Sequence, residues 1–522
     1  MALSSDLQNI PGGNHADVAI VGAGAVGLLL AADLARAGKR VLLLEAGQTD
    51  PNAADYVFDE ISSAGRRFTG LQEGRFRTLG GTTTQWGGQL VPLEPMVFGE
   101  RDWLAESGWP IESTELAEAY QATFDLLGMR GRLSEREVWQ QLRAKPPATG
   151  DDLDLFLTRW APEPNFARQF ARDLRDNPRL VALTGATVSS LFLQGGGQRV
   201  GLNVTSGTGN VRITAGAVVL ANGTIEIARL LMLPLEGAGV APWASNPWLG
   251  RGFVDHVDVD AGLVRVLDVQ RFHDVFDAAV LGGLKYLPKL KLSEQAQRRD
   301  RLLGVAAHFV STSARTAQLT ALKTMARNLI NRTALEHEGL DFRHLPLLLD
   351  TIARTAERFL LHRRIYNPDD GGILLRLTGE QMMVRESGLA LTDQRDTLGR
   401  PRATLDWRVD GVELGTLASF AVRVADYLER AGLAEVEIDP QLLARDPAFL
   451  ERIEDGFHHM GMARMGASPS DGVVDRELKV FGTNNLFVAG AATFRSAGFA
   501  NPTLTALALA LRLSRALQSG TP

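Results

Sequence analysis

Residues 17–47 of the chain read DVAIVGAGAVGLLLAADLARAGKRVLLLEAG, and this stretch decides the fold. The apolar run DVAIVG predicts a buried strand, GAGAVG predicts a tight turn, and VGLLLAADLARAG predicts a helix that ends at Gly38. KRVLLLEAG then predicts a second strand. A strand–helix–strand unit of about thirty residues implies a right-handed crossover between parallel strands, and therefore an α/β, Rossmann-like domain.

The turn in this unit has the G-x-G-x-x-G spacing of dinucleotide-binding proteins. Gly22 permits the turn, Gly24 lets the backbone approach a pyrophosphate, and Gly27 lets the helix pack closely on the strand. Glu45, at the end of the second strand, can accept hydrogen bonds from the adenosine ribose and would repel the 2′-phosphate of NADP. The motif does not distinguish NAD from FAD, and an ordinary structural turn is the alternative interpretation.

The composition excludes several other chemistries. The 522 residues contain no cysteine, so the chain cannot provide a disulfide, an iron–sulfur cluster or a cysteine nucleophile, and no metal site is predicted. A formal net charge of −6 without long runs of like charge disfavours nucleic acid as a partner. The sequence shows neither a secretory signal nor an apolar segment long enough to span a bilayer, which favours a cytoplasmic protein with no transmembrane segment.

Two domains are expected from the order of these patterns. Strand-like segments at 180–193 and 211–223 flank the turn QGGGQ and predict a hairpin. We expect a discontinuous nucleotide-binding domain and an inserted α+β substrate-binding domain with a mixed sheet covered by helices. The predicted ranges are 10–260 and 445–517 for the first domain and 261–444 for the second.

One segment of the insertion, residues 315–364, predicts amphipathic helices with nine basic against five acidic residues. This segment has four alternative interpretations: a cap over the substrate cavity, a subunit interface, a lipid-facing surface or a solvated helical face.

Further motifs then follow in a characteristic order. They are RFRTLGGTTTQWGG (75–88), VVLANGTIEIARLLM (218–232), LGRGFVDH (249–256), ATLDW (403–407), FHHMGMARMG (457–466), GVVDRELKVFGTNNLFVAG (472–490) and SAGFANPTLTALALALRL (496–513). On these motifs the chain resembles, almost end to end, the glucose–methanol–choline (GMC) family of FAD-dependent alcohol oxidoreductases. It is most similar to the bacterial branch near pyranose 2-oxidase and the glycoside and polyol dehydrogenases.

The resemblance implies a catalytic pair. The family's H-x-x-G histidine corresponds to His458, and the His or Asn some forty positions later corresponds to Asn501, since 501 − 458 = 43. An imidazole suits proton removal from a hydroxyl near neutral pH, and an amide can donate to the resulting oxygen. His459 is out of register and is predicted to be structural. A satisfied core histidine is the alternative interpretation of His458.

The resemblance also implies bound FAD. Its binding residues would be Gly22, Gly24, Ala25, Gly27, Glu45, Arg77, Gly80, Gly81, Thr82, Gly88, Val188, Gly490, Ala491, Asn501, Pro502 and Thr503. Gln85 stands where pyranose 2-oxidase-like members carry a histidine bonded to the flavin, so non-covalent FAD is expected. Asn501 and Pro502 predict the N-cap and first residue of the terminal helix, whose positive end would favour the reduced flavin. Arg495 replaces the family's usual proline and is assigned either to the substrate cavity or to the surface.

The implied activity is oxidation of a sugar, glycoside or polyol hydroxyl by hydride transfer to flavin N5, with a small-molecule alcohol as substrate. A steroid or long-chain alcohol is the alternative substrate. A redox subunit that works only in a complex and an NAD-dependent dehydrogenase are the alternative functions. Oxygen, a quinone or another protein would serve as electron acceptor. The oligomeric state stays open, with a homo-oligomer as one alternative.

Overall fold

The computed structural model describes residues 3–4, 7, 10, 13–49, 61–236, 239–313 and 345–520. A first sheet is built around the N-terminal strand–helix–strand unit. Strands His15–Val21 and Val41–Leu44 are parallel neighbours, and helix Ala25–Arg36 connects them. These elements confirm the predicted Rossmann-like α/β architecture.

Within the described residues, the first sheet contains eight strands. In spatial order they are Leu3–Ser4, Leu180–Leu183, Val41–Leu44, His15–Val21, Gly209–Leu220, Val200–Ser206 and Thr187–Leu193, and Leu486–Val488 also pairs with Gly209–Leu220. The predicted hairpin turn is present, but Thr187–Leu193 pairs with Val200–Ser206 and not with the segment at 211–223. The polar residues Asn203 and Thr205 interrupt the apolar run of this intervening strand, which is why the hydrophobic pattern alone did not predict it.

The second sheet has nine strands in the part of the chain that the structure describes, and their pairings are antiparallel. In spatial order the strands are Ala434–Ile438, His256–Val266, Ile373–Glu380, Val305–Ser311, Leu284–Leu292, Leu153–Trp160 and Gln89–Leu90, with Ala279–Leu281 and Glu454–Asp455 at their sides. Helix Glu413–Arg430 packs on one face in an apolar core. The sheet of the insertion was expected to be mixed. Mixed pairing occurs instead in a small third sheet formed by Gly388–Arg395, Pro401–Trp407 and Ile61–Gly65.

The second sheet also takes strands from outside the predicted insertion. Gln89–Leu90 and Leu153–Trp160 precede residue 261 and pair with strands of the insertion or with each other. The division of the chain at 260/261 and 444/445 into two folding units stays a prediction.

The described helices beyond those named above surround the two large sheets. They are Pro95–Phe98, Ala117–Leu126, Glu135–Leu142, Phe166–Gln169, Ala171–Asp176, Thr224–Met232, Val269–Phe276, Glu294–Asp300, Leu345–His362, Pro440–Leu443 and Thr503–Ser519. Leu345–His362 supplies the last of the helices predicted in 315–364, and residues 315–344 of that segment lie outside the described residues. Across the described ranges, none of the helices combines the length and the apolar character needed to cross a membrane.

Candidate active site

A cavity of about 320 Å³ lies where the glycine turn meets the terminal helix. Twelve of the predicted cofactor-binding residues line it: Gly22, Gly24, Ala25, Glu45, Arg77, Gly81, Thr82, Val188, Gly490, Ala491, Pro502 and Thr503. Segments that are distant in sequence therefore meet in one groove, hereafter the first cavity.

The three glycines of the turn have different steric roles. Gly22 has a φ of +96°, and a Cβ there would lie 2.5 Å from the Cα of Asn222. A Cβ on Gly27 would lie 1.9 Å from the Gly22 carbonyl oxygen, so this glycine lets the helix approach the turn. A Cβ on Gly24 would have no described atom within 4 Å, and Gly24 lines the first cavity. The backbone is therefore open to a ligand at Gly24.

Four of the predicted cofactor-binding residues lie outside the lining of the first cavity. Gly27 packs closely against the Gly22 carbonyl of the turn. The Gly80 N–H donates to the Ala23 oxygen at 2.9 Å. The Gly88 carbonyl accepts from the Ala161 N–H at 2.8 Å. Asn501 lines a second cavity instead.

Glu45 fixes the conformation of the glycine turn. Its buried carboxylate accepts the Ala23 N–H at 2.8 Å through Oε2 and the Gly47 N–H at 2.8 Å through Oε1. Burial raises the pKa of Glu45, and these N–H groups and the charge of Arg77 act against that rise. Each carboxylate oxygen can accept a further hydrogen bond, for example from a ribose hydroxyl.

The lining of the first cavity fits FAD. Asn222 Oδ1 and His459 Nε2 are buried atoms with no hydrogen-bond partner among the described residues, and both residues line this cavity. Helices Ala25–Arg36 and Thr503–Ser519 begin at its wall, where free N–H groups favour an anion. A polar, anionic dinucleotide would supply hydrogen-bond partners to these two atoms and negative charge to the two helix N-termini.

A second cavity, of about 210 Å³, lies over one face of the second sheet. It is lined by Gln89, Val91, Phe156, Thr158, Trp160, Asp258, Leu287, Lys289, Ala306, His308, Thr378, His458, Phe499, Ala500 and Asn501. Of the described residues, His458 alone lines both cavities. Its imidazole therefore separates the two spaces.

The two ring nitrogens of His458 have different partners. Nε2 lies 2.8 Å from the amide nitrogen of Asn501, and Nδ1 lies 2.9 Å from Nδ1 of His256. An amide nitrogen only donates, so Nε2 accepts, and the ring proton of His458 is on Nδ1 and is donated to His256. In this tautomer the basic lone pair of His458 is on the side of Asn501.

Burial lowers the pKa of His458 well below its usual value of 6.5, and the neighbouring His256, His459 and Lys289 lower it further. The imidazole is consequently neutral at neutral pH, which is the form that can accept a proton.

Asp255 holds the two histidine segments together. Its Oδ1 accepts the N–H of His256 at 2.6 Å and the N–H of His458 at 2.9 Å. Burial raises the pKa of Asp255 well above its usual range, and these two N–H groups act against that rise. LGRGFVDH, quoted above for the family resemblance, contains both Asp255 and His256, although no role was predicted for either.

Two sequence expectations near this site need correction. The terminal helix is Thr503–Ser519 with Pro502 at the N-cap position, because the Asn501 side chain is directed to His458 and does not cap the helix. Arg495 lines neither of the two cavities and does not lie at the surface. It is buried, and its Nη1 donates to Asp471 at 2.6 Å and to the Met465 carbonyl at 3.2 Å.

His459 and Gln85 differ in their relation to the first cavity. The His459 carbonyl accepts the Thr224 hydroxyl at 2.6 Å, and its ring packs 5.2 Å from the ring of Phe68. These contacts are structural, and yet His459 also lines the first cavity. Gln85 is exposed and is not among the residues that line either cavity.

Sequence reasoning did not identify the polar residues of the second cavity. These residues lie on three strands of the second sheet: Asp258 on His256–Val266, Lys289 on Leu284–Leu292 and His308 on Val305–Ser311. The available signal is the alternation of polar and apolar residues in VDVDA and in LKYLPKLKL, which is typical of a strand with one polar face.

Two protein-family models match the chain. Residues 17–242 match the family described as FAD dependent oxidoreductase, and residues 385–510 match the family described as GMC oxidoreductase. The 2-methyl-1,2-propanediol dehydrogenase of Mycolicibacterium austroafricanum is 29% identical over 154 residues, which cover 29% of this chain and 26% of that protein. The fructose dehydrogenase large subunit of Gluconobacter japonicus is 31% identical over 125 residues, or 24% of this chain and 21% of that protein. The matched segments thus span about a quarter of the length of these curated relatives.

Solved structures share the fold over nearly the whole chain. Pyridoxine 4-oxidase from Mesorbium loti is 18% identical with a TM-score of 0.60, covering 96% of this chain and 98% of that one. Formate oxidase is 17% identical with a TM-score of 0.59, covering 97% and 99%. The two family matches define the class of this chain as an FAD-dependent oxidoreductase, and its residues 385–510 are similar to the GMC oxidoreductase family. The solved structures share its fold.

Proposed function

We propose that this protein oxidises a hydroxyl group of a sugar, glycoside or polyol to a carbonyl, using non-covalently bound FAD. The position of His458 carries the proposal. A neutral imidazole lies between a cavity that fits FAD and a second cavity with polar walls, and its Nε2 is adjacent to the Asn501 amide. Such a base, placed between cofactor and substrate, is what alcohol oxidation requires of a protein.

The first cavity would hold FAD through residues at its two ends. Gly22, Gly24 and Ala25 would face the pyrophosphate, Glu45 the ribose, and Val188 the adenine. Gly490, Ala491, Pro502 and Thr503 would lie toward the flavin ring, together with Arg77, Gly81 and Thr82. When bound, FAD supplies the hydride acceptor at flavin N5.

His458 and Asn501 would act on the substrate hydroxyl. His458 Nε2 would accept the hydroxyl proton, and the Asn501 amide would donate to the same oxygen as negative charge develops on it. Asn501 would also hold the hydroxyl in position before proton transfer. A positioned base of this kind contributes about 10²–10⁴-fold to the rate.

The substrate class is supported by the chemistry of the relatives and of the cavity. A propanediol and fructose, which name the two curated relatives, are both polyhydroxy compounds. The second cavity contains amide, hydroxyl, carboxylate, ammonium and imidazole groups, which suit a polyhydroxy substrate. The finer assignment to the branch near pyranose 2-oxidase and the glycoside and polyol dehydrogenases is part of this proposal.

The test is reduction of the flavin by a panel of alcohols without oxygen. We expect sugars, glycosides or polyols to bleach the visible absorbance of the flavin, and steroid or long-chain alcohols to be poor substrates. Turnover confined to the steroid or long-chain alcohols would show that the substrate is an apolar alcohol and not a sugar, glycoside or polyol. Failure of every alcohol to reduce the flavin would favour a redox subunit that acts only within a complex.

Two further measurements address the cofactor and the electron acceptor. The purified protein should be yellow and should release FAD on denaturation, whereas a colourless protein that needs added nicotinamide would indicate an NAD-dependent dehydrogenase. Comparing turnover with oxygen, a quinone and a redox dye separates an oxidase from a dehydrogenase.

A further inference from the structure

One face of the second sheet forms the polar floor of the second cavity. Asp258 pairs with Thr378 across neighbouring strands, and Thr378 pairs in turn with Ala306. Leu290 pairs with Ala307, so the next pair along these antiparallel strands is Lys289 with His308. Side chains two residues apart share a face, which places Asp258, Lys289 and His308 together below His458.

Two of these three side chains have hydrogen-bonding capacity that the described residues do not use. Asp258 Oδ1 and His308 Nδ1 are buried and have no partner among the described residues. Burial lowers the pKa of Lys289 to about 8, and the charge of Asp258 acts against this. Burial lowers the pKa of His308 to about 3, so this imidazole is neutral. Leaving buried polar groups unpaired is unfavourable, so a ligand that pairs with them is favoured.

The floor combines ionisable groups of three kinds. Burial raises the pKa of Asp258, and the Thr378 hydroxyl and the charges of Arg376 and Lys289 act against that rise. An ammonium, a carboxyl group and a neutral imidazole then face the cavity. This set offers donors and acceptors to neutral hydroxyl groups, whereas an ionised substrate carboxylate only accepts hydrogen bonds and cannot donate to Asp258.

We propose that Asp258, Lys289 and His308 form a specificity subsite that binds a second hydroxyl of the molecule that His458 oxidises, so that the substrate is a neutral polyol. The inference rests on the proposed function and narrows its substrate class. A hydroxyl can donate to Asp258 and accept from Lys289 at the same time. The rings of Phe156, Trp160 and Phe499, which also line the cavity, provide apolar surface for the C–H groups of the same molecule.

The first test compares substrates that differ by one hydroxyl. The holoenzyme is offered trans-cyclohexane-1,2-diol and cyclohexanol, and a pyranose and its monodeoxy derivatives. We expect kcat/KM for the diol or pyranose to exceed that of the molecule lacking the hydroxyl by about 10-fold or more, because the unpaired subsite groups penalise the latter. Equal values within each pair, or preference for an aldonic acid over the neutral polyol, would overturn the proposal.

The second test assigns the preference to the floor. Asp258→Asn and Lys289→Met should each reduce kcat/KM for the diol by about 10- to 100-fold and reduce kcat/KM for cyclohexanol by a clearly smaller factor. Asp393→Asn and Lys145→Met are controls, because they change the same residue types at exposed positions that do not line the cavity. Variants that lose both substrates in parallel, or controls that behave like the cavity variants, would contradict the subsite.

A binding measurement separates failure of the subsite from failure of the proposed function. In holoenzyme carrying His458→Ala, the pyranose should raise the melting temperature, and adding Asp258→Asn should abolish that rise. If wild-type flavin is not reduced by any alcohol and the pyranose still stabilises this variant through Asp258, the proposed function fails and the subsite stands. If alcohols reduce the flavin and Asp258→Asn does not affect the stabilisation, the subsite fails and the function stands.

Discussion

Nδ1 of His256 lies 2.9 Å from Nδ1 of His458, so that one imidazole must donate and the other must accept. The Asn501 amide nitrogen at the far side of His458 makes His458 the donor. His256 therefore keeps the basic lone pair of His458 on Nε2, where it can reach a hydroxyl in the second cavity. Asp255 stabilises this arrangement of the two histidines, because its carboxylate accepts the backbone N–H of both His256 and His458.

Removing the acceptor at His256 should weaken the base without removing it. In His256→Leu, Nδ1–H of His458 loses its partner, and we expect the rate of flavin reduction at saturating substrate to fall about 10- to 100-fold, part of the 10²–10⁴ that a positioned base supplies. His256→Gln offers an amide oxygen as acceptor and should recover part of the loss. Rapid-mixing absorbance measures both rates. Equal rates in the two variants would show that the acceptor is irrelevant.

The pH dependence follows from the lowered pKa of His458. The proton acceptor must be neutral, and because burial and the neighbouring His256, His459 and Lys289 depress its pKa, the neutral form persists to lower pH than in a free imidazole. We expect the rate of flavin reduction to stay constant as the pH falls through 6.5 and to decrease only at more acidic pH. A decrease centred at or above pH 6.5 would contradict the assignment of His458 as a buried neutral base.

Two glycines of the turn should respond differently to an added methyl group. Gly27→Ala would place a Cβ 1.9 Å from the Gly22 oxygen, so we expect loss of folded protein. Gly24→Ala meets no described atom within 4 Å, so the fold should persist while FAD affinity falls, because the methyl group enters the first cavity. FAD content and thermal unfolding of the apoprotein measure the two effects.

Gly415 provides the control for these variants. It lies inside helix Glu413–Arg430, and a Cβ there also has no described atom within 4 Å. Gly415→Ala should stabilise the protein by about 0.5–1 kcal/mol and leave FAD content unchanged. Full FAD occupancy in Gly24→Ala would show that this position does not face the cofactor.

A buried ion pair should make the protein sensitive to substitution and to acid. Arg101 donates to both carboxylate oxygens of Glu380, at 2.7 and 2.6 Å, and both side chains are at most 2% exposed. Arg101→Met leaves a buried, unpaired carboxylate and should cost about 3–5 kcal/mol in the free energy of unfolding, measured by denaturant titration. Arg408→Met, which breaks an exposed pair with Asp406, should cost at most about 1 kcal/mol.

The same pair predicts the direction of the acid effect. Burial alone would raise the pKa of Glu380, but Arg101 holds it below its usual value. A depressed carboxyl pKa contributes stability above the unfolded pKa, and this contribution is lost as the pH falls through the folded pKa. Wild type should therefore lose more stability than Arg101→Met on acidification below about pH 4.3. An equal loss in both proteins would show that Glu380 is not the group responsible.

Local sequence patterns predicted the N-terminal strand–helix–strand unit well. The strand, turn and helix around Gly22 depend on residues close in sequence, and their hydrophobic period is strong. Antiparallel pairing in the second sheet joins segments such as 89–90, 153–160 and 284–292, whose association no local pattern reveals. The pairing of buried Arg495 with half-buried Asp471 was not predicted for the same reason, since a nonlocal ion pair leaves no trace in sequence spacing.

The candidate site also contains some residues that the sequence predicted and others that depend on nonlocal contacts. His458 and Asn501 were predicted from family motifs, and the structure brings them within 2.8 Å of each other, although their catalytic role stays a proposal. His256 lay within a quoted motif but received no role, because its partner is 202 residues away. The polar floor at Asp258 and Lys289 required the sheet register, which the sequence alone does not determine.

The most direct test of the central claim is rapid mixing of the yellow holoenzyme with a polyol in the absence of oxygen, for wild type and for His458→Ala. We expect the polyol to reduce the flavin of the wild type, and the variant to bind FAD equally well but to be reduced about 10²–10⁴-fold more slowly. Reduction at the wild-type rate by His458→Ala with full FAD occupancy would contradict the claim that this imidazole, shared by the two cavities, is the base.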